Sequence, residues 1–121
     1  MAGYRDLEIY QIAFDLALKV HKASLKLPQH ELYEQGSQIR RSTKSVKDNI
    51  AEGYGRSKYK AEFIRYLIYA QASCDEAISQ IDMLLTLYPQ ITDFYSLKEP
   101  FDQLGSNINK FIQYVEKSWR S

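Results

Sequence analysis

Between Arg40 and Lys60 the chain carries seven cations against two carboxylates. Arg40, Arg41, Lys44, Lys47, Arg56, Lys58 and Lys60 face only Asp48 and Glu52, a local charge of +5. The other 100 residues sum to −4, since the whole chain stands at +1. A concentration of this kind suits phosphate contacts with a polyanion. Arg40, Lys44 and Lys47 fall at i, i+4 and i+7 and so share one face of a helix. The other reading is a solvated helix face, the usual fate of a charge run. A ring of subunits repeating the stretch would sum its charges into one field. Inside it, Gly53-Tyr54-Gly55-Arg56-Ser57 raises the question of a phosphate loop. Such loops lie between a strand and a helix, with a third glycine or a Gly-Lys-Ser/Thr ending. Neither is present. The pattern instead predicts a helical hairpin, with Gly55 left-handed at the close of one helix and Ser57 capping the next. Glu62 would lie near that helix's positive end. Arg56, Lys58 and Lys60 would remain there as a weak anion site.

Groups that could do acid–base or metal chemistry are few. His21 and His30 are the only imidazoles, and neither belongs to a Glu-x-x-His pair of the kind a di-iron bundle requires. His21 reads as a hydrogen-bonded core residue and His30 as a turn residue. Cys74 falls on an apolar stripe, where an inert thiol is expected. Asp75, Glu76 and Asp82 could suggest a cation site, but no matching carboxylates stand elsewhere, so a solvated or salt-bridged face is the better reading. The residues therefore predict no enzyme, no cofactor and no metal. One polar group is unusual. Asn49 and Glu52 flank the apolar positions Ile50 and Gly53, beside a stripe of Arg41, Ser45, Asp48 and Glu52. Local pairing with Arg41, Lys44 or Arg56, a network fixing subunit register, and a hairpin gripping RNA are all open to it.

Four helices account for these positions. The first is expected from Asp6 to Leu27, with Leu7, Tyr10, Phe14, Ala17, Leu18, His21 and Leu25 as its core face and Pro28 as its stop. The second is expected from Glu31 to Tyr54 along Leu32, Ile39, Thr43, Val46, Ile50 and Gly53. Gly36 marks a soft first turn or a close approach there. The third, Lys58 to Tyr88, has two apolar stripes. One runs through Leu67, Cys74, Ile78, Ile81, Leu85 and Tyr88, the other through Phe63, Tyr66, Ala70, Ala77, Leu84 and Leu87. That exceeds what one bundle interior needs and predicts contact with another subunit. The fourth is expected to open on a Ser96–Glu99 capping box, with Pro100 in or near its first turn, and to run through Leu104, Ile108, Phe111, Ile112 and Val115 toward Trp119. Short connections predict an all-α, antiparallel, up-down-up-down four-helix bundle spanning residues 1–121 as a single domain.

Composition sets the outer limits. An apolar fraction of 45% with five glycines and three prolines describes a folded chain. Ten tyrosines suit helix edges and subunit interfaces. The lone cysteine allows no internal disulfide, and no secretory or membrane-spanning segment is read, so a cytoplasmic protein is expected.

The run QIRRSTKSVKDNIAEGYGRS, residues 38–57, resembles the signature of the 23S rRNA intervening-sequence proteins, also called the four-helix bundle protein family. The resemblance extends from Leu7 through YLIYAQASCDEAISQI, residues 66–81. Arg40, Arg41, Ser45, Asn49, Glu52, Gly53 and Arg56 match the family pattern, while Thr43 stands where alanine is common. These small bacterial proteins have no established catalysis. Their relatives include the accessory variability proteins of diversity-generating retroelements, which form barrel-shaped pentamers and bind reverse transcriptase and nucleic acid. The resemblance thus implies a ring-like homo-oligomer, a pentamer first, that binds RNA or DNA. The second expectation is an oligomeric scaffold for another protein, with no nucleic acid.

Overall fold

A computed structural model of the protein describes residues 3–120. A 3-10 turn (Tyr4–Asp6) leads into α1 (Glu8–Ser24), a one-turn α2 (Gln29–Leu32), α3 (Gln35–Gly55), α4 (Lys60–Leu87) and α5 (Thr92–Ser118), with no strand among the described residues. The four long helices make an all-α bundle.

α1 buries only part of the expected face: Ala17 is in the core and Leu7 and Tyr10 pack against it, while the larger Phe14, Leu18 and Leu25 lie outside. Ile9, Ala13, Leu16, Ala17, Val20 and Ala23 point inward, with Leu27 just beyond the helix. Phe14, Leu18 and Leu25 are 49%, 47% and 60% exposed. Both sets repeat at three- and four-residue steps, so period alone does not choose between them. The alanines decide it: their small side chains let α1 lie close against its neighbours. The helix tightens after Ser24 into i to i+3 bonds through Leu27, and Pro28 stops it.

The expected second helix is broken in two. α2 ends at Leu32, and Glu34, at φ −102° and ψ −100°, turns the chain into α3. Gly36 sits buried at this corner, where an added Cβ would lie 3.1 Å from the Glu31 carbonyl oxygen and 3.4 Å from Leu27. Close approach, not softness, explains that glycine. The Tyr88 hydroxyl donates to Glu31, tying α2 to the far end of α4.

α4 places Phe63, Leu67, Ala70, Cys74, Ala77, Ile81 and Leu84 in the core, drawing on both expected stripes. α5 begins four residues before the expected capping box. Ser96 lies inside the helix, its hydroxyl bonded to the Asp93 carbonyl, and Pro100 stands in the helix interior. Pro100 has no N–H to give, a cost that ordinarily ends a helix. Burial of Phe94, Leu97 and Phe101 on both sides of it carries the helix through.

Pairings between the helices fix which elements are neighbours. α3 meets α4 at Ser42–Gln80, Ser45–Ser73 and Gly53–Tyr66, positions that rise on one helix as they fall on the other. α5 meets α4 at Phe101–Cys74 and Lys98–Asp82, and by its end at Trp119–Phe63. α1 meets α3 at Ser24–Arg40, and just past its end Lys26 meets α5 at Asp93. α1 and α4 therefore stand on a diagonal, each flanked by α3 and α5.

Candidate nucleic-acid interface

α3 carries four of the seven basic candidates, and the bundle gives them different duties. Arg40 turns inward. Its guanidinium donates to the Ser24 hydroxyl at 2.8 Å and to the Leu32 carbonyl at 2.7 Å, closing the C-terminal end of α2 and fastening α1 to α3. Lys47 pairs with Asp48 at 2.6 Å and lies 5.8 Å from the centre of the Phe14 ring. Arg41 and Lys44 are exposed, and neither is in an ion pair among the described residues. They edge a shallow groove between α3 and α4 that also holds Asp48, Asn49, Glu52 and Tyr66.

The hairpin departs from expectation in two respects. No glycine among the described residues has a positive φ, and Gly55 is the last helical residue of α3, with nothing within 4 Å of where its Cβ would be. Ser57 caps nothing: α4 starts after Tyr59 without a side-chain cap bond. Ser57 instead offers its carbonyl to the Trp119 indole N–H at 2.8 Å, so the end of α5 holds the hairpin in place. A tertiary bond has replaced the local one. Gly53 is the glycine the fold requires. A Cβ there would meet the Tyr66 Cβ at 3.0 Å and the Phe63 carbonyl oxygen at 3.4 Å, so α3 and α4 could not approach so closely. The pair of glycines marks a helix crossing and a helix end, not a phosphate cradle.

Arg56 bridges Glu52 at 3.1 Å and Glu62 at 3.3 Å and stacks 4.9 Å from the Tyr66 ring centre. Chiefly through the Glu52 bond, its guanidinium is held above its ordinary pKa. Lys58 is exposed beside the Tyr59 ring and Lys60 is half-buried; neither is ion-paired among the described residues. The cations left for a ligand thus form two groups, Arg41 with Lys44 and Lys58 with Lys60. The roughly eleven helical rises from Lys44 to Gly55 span about 16 Å at about 1.5 Å each. Asp48 and Glu52 lie in that interval.

The polar residues of the motif have structural partners. Asn49 donates to the Ser45 carbonyl at 2.9 Å and to its hydroxyl at 3.0 Å, and Ser45 bonds Ser73 across to α4 at 3.0 Å. Ser42 donates to Gln80. The Thr43 hydroxyl is buried and bonded back to the Ile39 carbonyl at 2.9 Å. This ladder pairs α3 with α4 within one chain; of the local partners expected, Arg56 takes Glu52, while Ser45 and Asn49 use partners the sequence did not single out. Ser73 and Gln80 sit on α4 at helical spacing, but nothing in their type distinguishes them from solvated residues.

The remaining reactive groups are quiet. Cys74 is buried against the Phe101 carbonyl, and burial, with Asp75 and Asp102 nearby, pushes its thiol up to about 12. His21 is half-buried beside the exposed α1 stripe and His30 is exposed on α2. Asp82 pairs with Lys98 at 3.2 Å, and no group of three metal-ligating side chains is assembled among the described residues.

An all-helical bundle whose α3–α4 seam is built on the Ser45, Asn49 and Gly53 positions is the class defined here. The sequence model of the 23S rRNA-intervening sequence protein family matches residues 5–110, and the chain belongs to that family. A search of curated proteins finds no match. No helix among the described residues is long and apolar enough to cross a membrane.

Proposed function

We propose that this protein is a non-enzymatic, cytoplasmic homo-oligomer that binds RNA, or other nucleic acid, through cations of α3 and the α3–α4 hairpin. The observation that carries the reading is that Arg41, Lys44, Lys58 and Lys60 have no ion-pair partner among the described residues, in a stretch that is +5 within an otherwise acidic chain. Arg40, Lys47 and Arg56 are already engaged, so they support the surface rather than contact phosphate. Four phosphate contacts in two separate groups bind weakly from one copy. Repetition around a ring supplies the avidity that one copy lacks. A pentamer is the first choice, on the resemblance to barrel-forming relatives.

Titration of a labelled single-stranded RNA at about 50 mM and about 200 mM salt tests it. The wild type should bind at the lower salt and weaken steeply at the higher. Arg41→Ala/Lys44→Ala and Lys58→Ala/Lys60→Ala should each reduce the salt slope by about 1.4 per copy engaged, from about 0.7 per lost contact. No binding at the lower salt to RNA or DNA would sink the proposal. It would leave the second reading, a protein-binding scaffold, which the exposed Tyr33, Tyr59 and Tyr95 favour.

A further inference from the structure

One flank of the α3–α4 groove is aromatic. On α4, Tyr66, Tyr69 and Ser73 fall at i, i+3 and i+7, the side turned to α3: Tyr66 lies against Gly53 and Ser73 bonds Ser45. The Tyr66 and Tyr69 rings meet edge to face, 5.4 Å apart. Arg65 joins them, its guanidinium 5.5 Å from the Tyr66 centre and 5.9 Å from the Tyr69 centre. Glu62 holds that guanidinium at 3.3 Å. Tyr66 is half-buried and lines the groove with Arg41, Lys44 and Asn49. Tyr69, the next ring along, is 44% exposed.

We infer that this protein takes single-stranded nucleic acid in preference to duplex, with a base stacked on Tyr69 while phosphates meet Arg41 and Lys44 across the groove. The inference rests on the nucleic-acid binding proposed above and names its substrate class. The charges alone make a poor duplex site. A double helix carries a charge every ~1.7 Å along its axis, whereas here Asp48 and Glu52 interrupt the cations between Lys44 and the hairpin. A single strand brings unstacked bases, each with a face that an aromatic ring can cover. The α4 flank supplies that ring beside the cations of the groove. Arg65 is a positioning residue: tied to Glu62 and set against both tyrosines, it holds the platform in place before the strand arrives, so less freedom is lost on binding. Every base has such a face, so the selection is for unpaired strand and not for a particular sequence.

The test titrates an end-labelled single-stranded RNA, and the same strand annealed to its complement, with the wild type, Tyr69→Ala and Tyr69→Phe at about 50 mM and about 200 mM salt. The wild type should bind the single strand more tightly than the duplex. Tyr69→Ala should weaken the single strand by about fivefold or more, with the salt slope and the duplex affinity unchanged. Tyr69→Phe, which keeps the ring, should bind as the wild type does. Duplex bound as tightly as single strand overturns the inference. So does a Tyr69→Ala variant with wild-type affinity, or one whose salt slope falls with its affinity, because that marks lost phosphate contacts. In each of those cases nucleic-acid binding itself stands. A wild type that binds neither RNA removes that reading, and the stacking with it. The comparison of strand with duplex needs only the wild type, so it decides even should Tyr69→Ala lose its helical circular dichroism.

Discussion

Arg40 and Gly53 both belong to the family motif, and both work inside the bundle. Arg40→Ala strips a charged donor from the Ser24 hydroxyl and the Leu32 carbonyl, so it should cost about 2 kcal/mol in denaturant unfolding. It should leave the RNA affinity of the folded fraction unchanged, which separates a structural cation from a ligand-binding one. The two hairpin glycines should respond oppositely. Gly53→Ala forces α3 away from Tyr66 and Phe63 and should cost about 1–3 kcal/mol. Gly55→Ala adds a methyl in open space to a helical residue and should gain roughly 0.5–1 kcal/mol. Ser57→Ala should be near neutral, since its carbonyl and not its hydroxyl holds Trp119. Cys74 gives a pH test. Its thiol pKa is raised in the fold from 9.0 to about 12, so the folded state holds its proton more tightly. Its contribution is complete below about pH 9 and is lost as the pH climbs toward about 12. Urea midpoints across that range should fall less steeply for Cys74→Ala than for the wild type.

At the scale of elements, the sequence was legible where one pattern had no competitor. α3 follows its expected stripe through Ile39, Thr43, Val46, Ile50 and Gly53, because the rest of that helix is polar. α1 misled because it carries two apolar stripes, and the one with the larger side chains is outside. The alanine stripe packs closer, a preference that depends on the neighbouring helices and not on local composition. The surplus apolar surface was expected on the third helix alone; the structure puts part of it on α1. The start of α5 failed for a related reason. Ser-x-x-Glu followed by proline is a good local start signal, but burial of Phe94 at 0% and Leu97 at 4% exposure rewards an earlier start and a proline inside the helix. Pro100→Ala restores a backbone donor in the helix interior and should raise stability by about 1–3 kcal/mol, read as a higher midpoint. Of the candidate site, the charges were visible in the sequence, and so was the Arg56–Glu52 pair, four residues apart. Ser24 and Glu62 acquire their cations through the turns of the fold.

For the whole molecule, the same basic stretch serves packing and surface. Three of its seven cations are engaged within the chain, and four have no ion-pair partner among the described residues. If the ring forms, a mass near five times 14.1 kDa, about 70 kDa, is expected at micromolar concentration. A mass of one copy would leave the four cations to bind alone and weakly. The end of α5 bears on this from a distance. Trp119 is the single tryptophan of the chain, and it stands between the Phe63 ring, 5.0 Å away, and the Ser57 carbonyl. The indole is therefore a built-in optical probe of the hairpin that bears Lys58 and Lys60. Its emission should shift to the red when that hairpin comes away from the bundle, before the helices themselves melt. A dye-free titration with RNA would then show through the same signal whether a ligand reaches this end of the molecule.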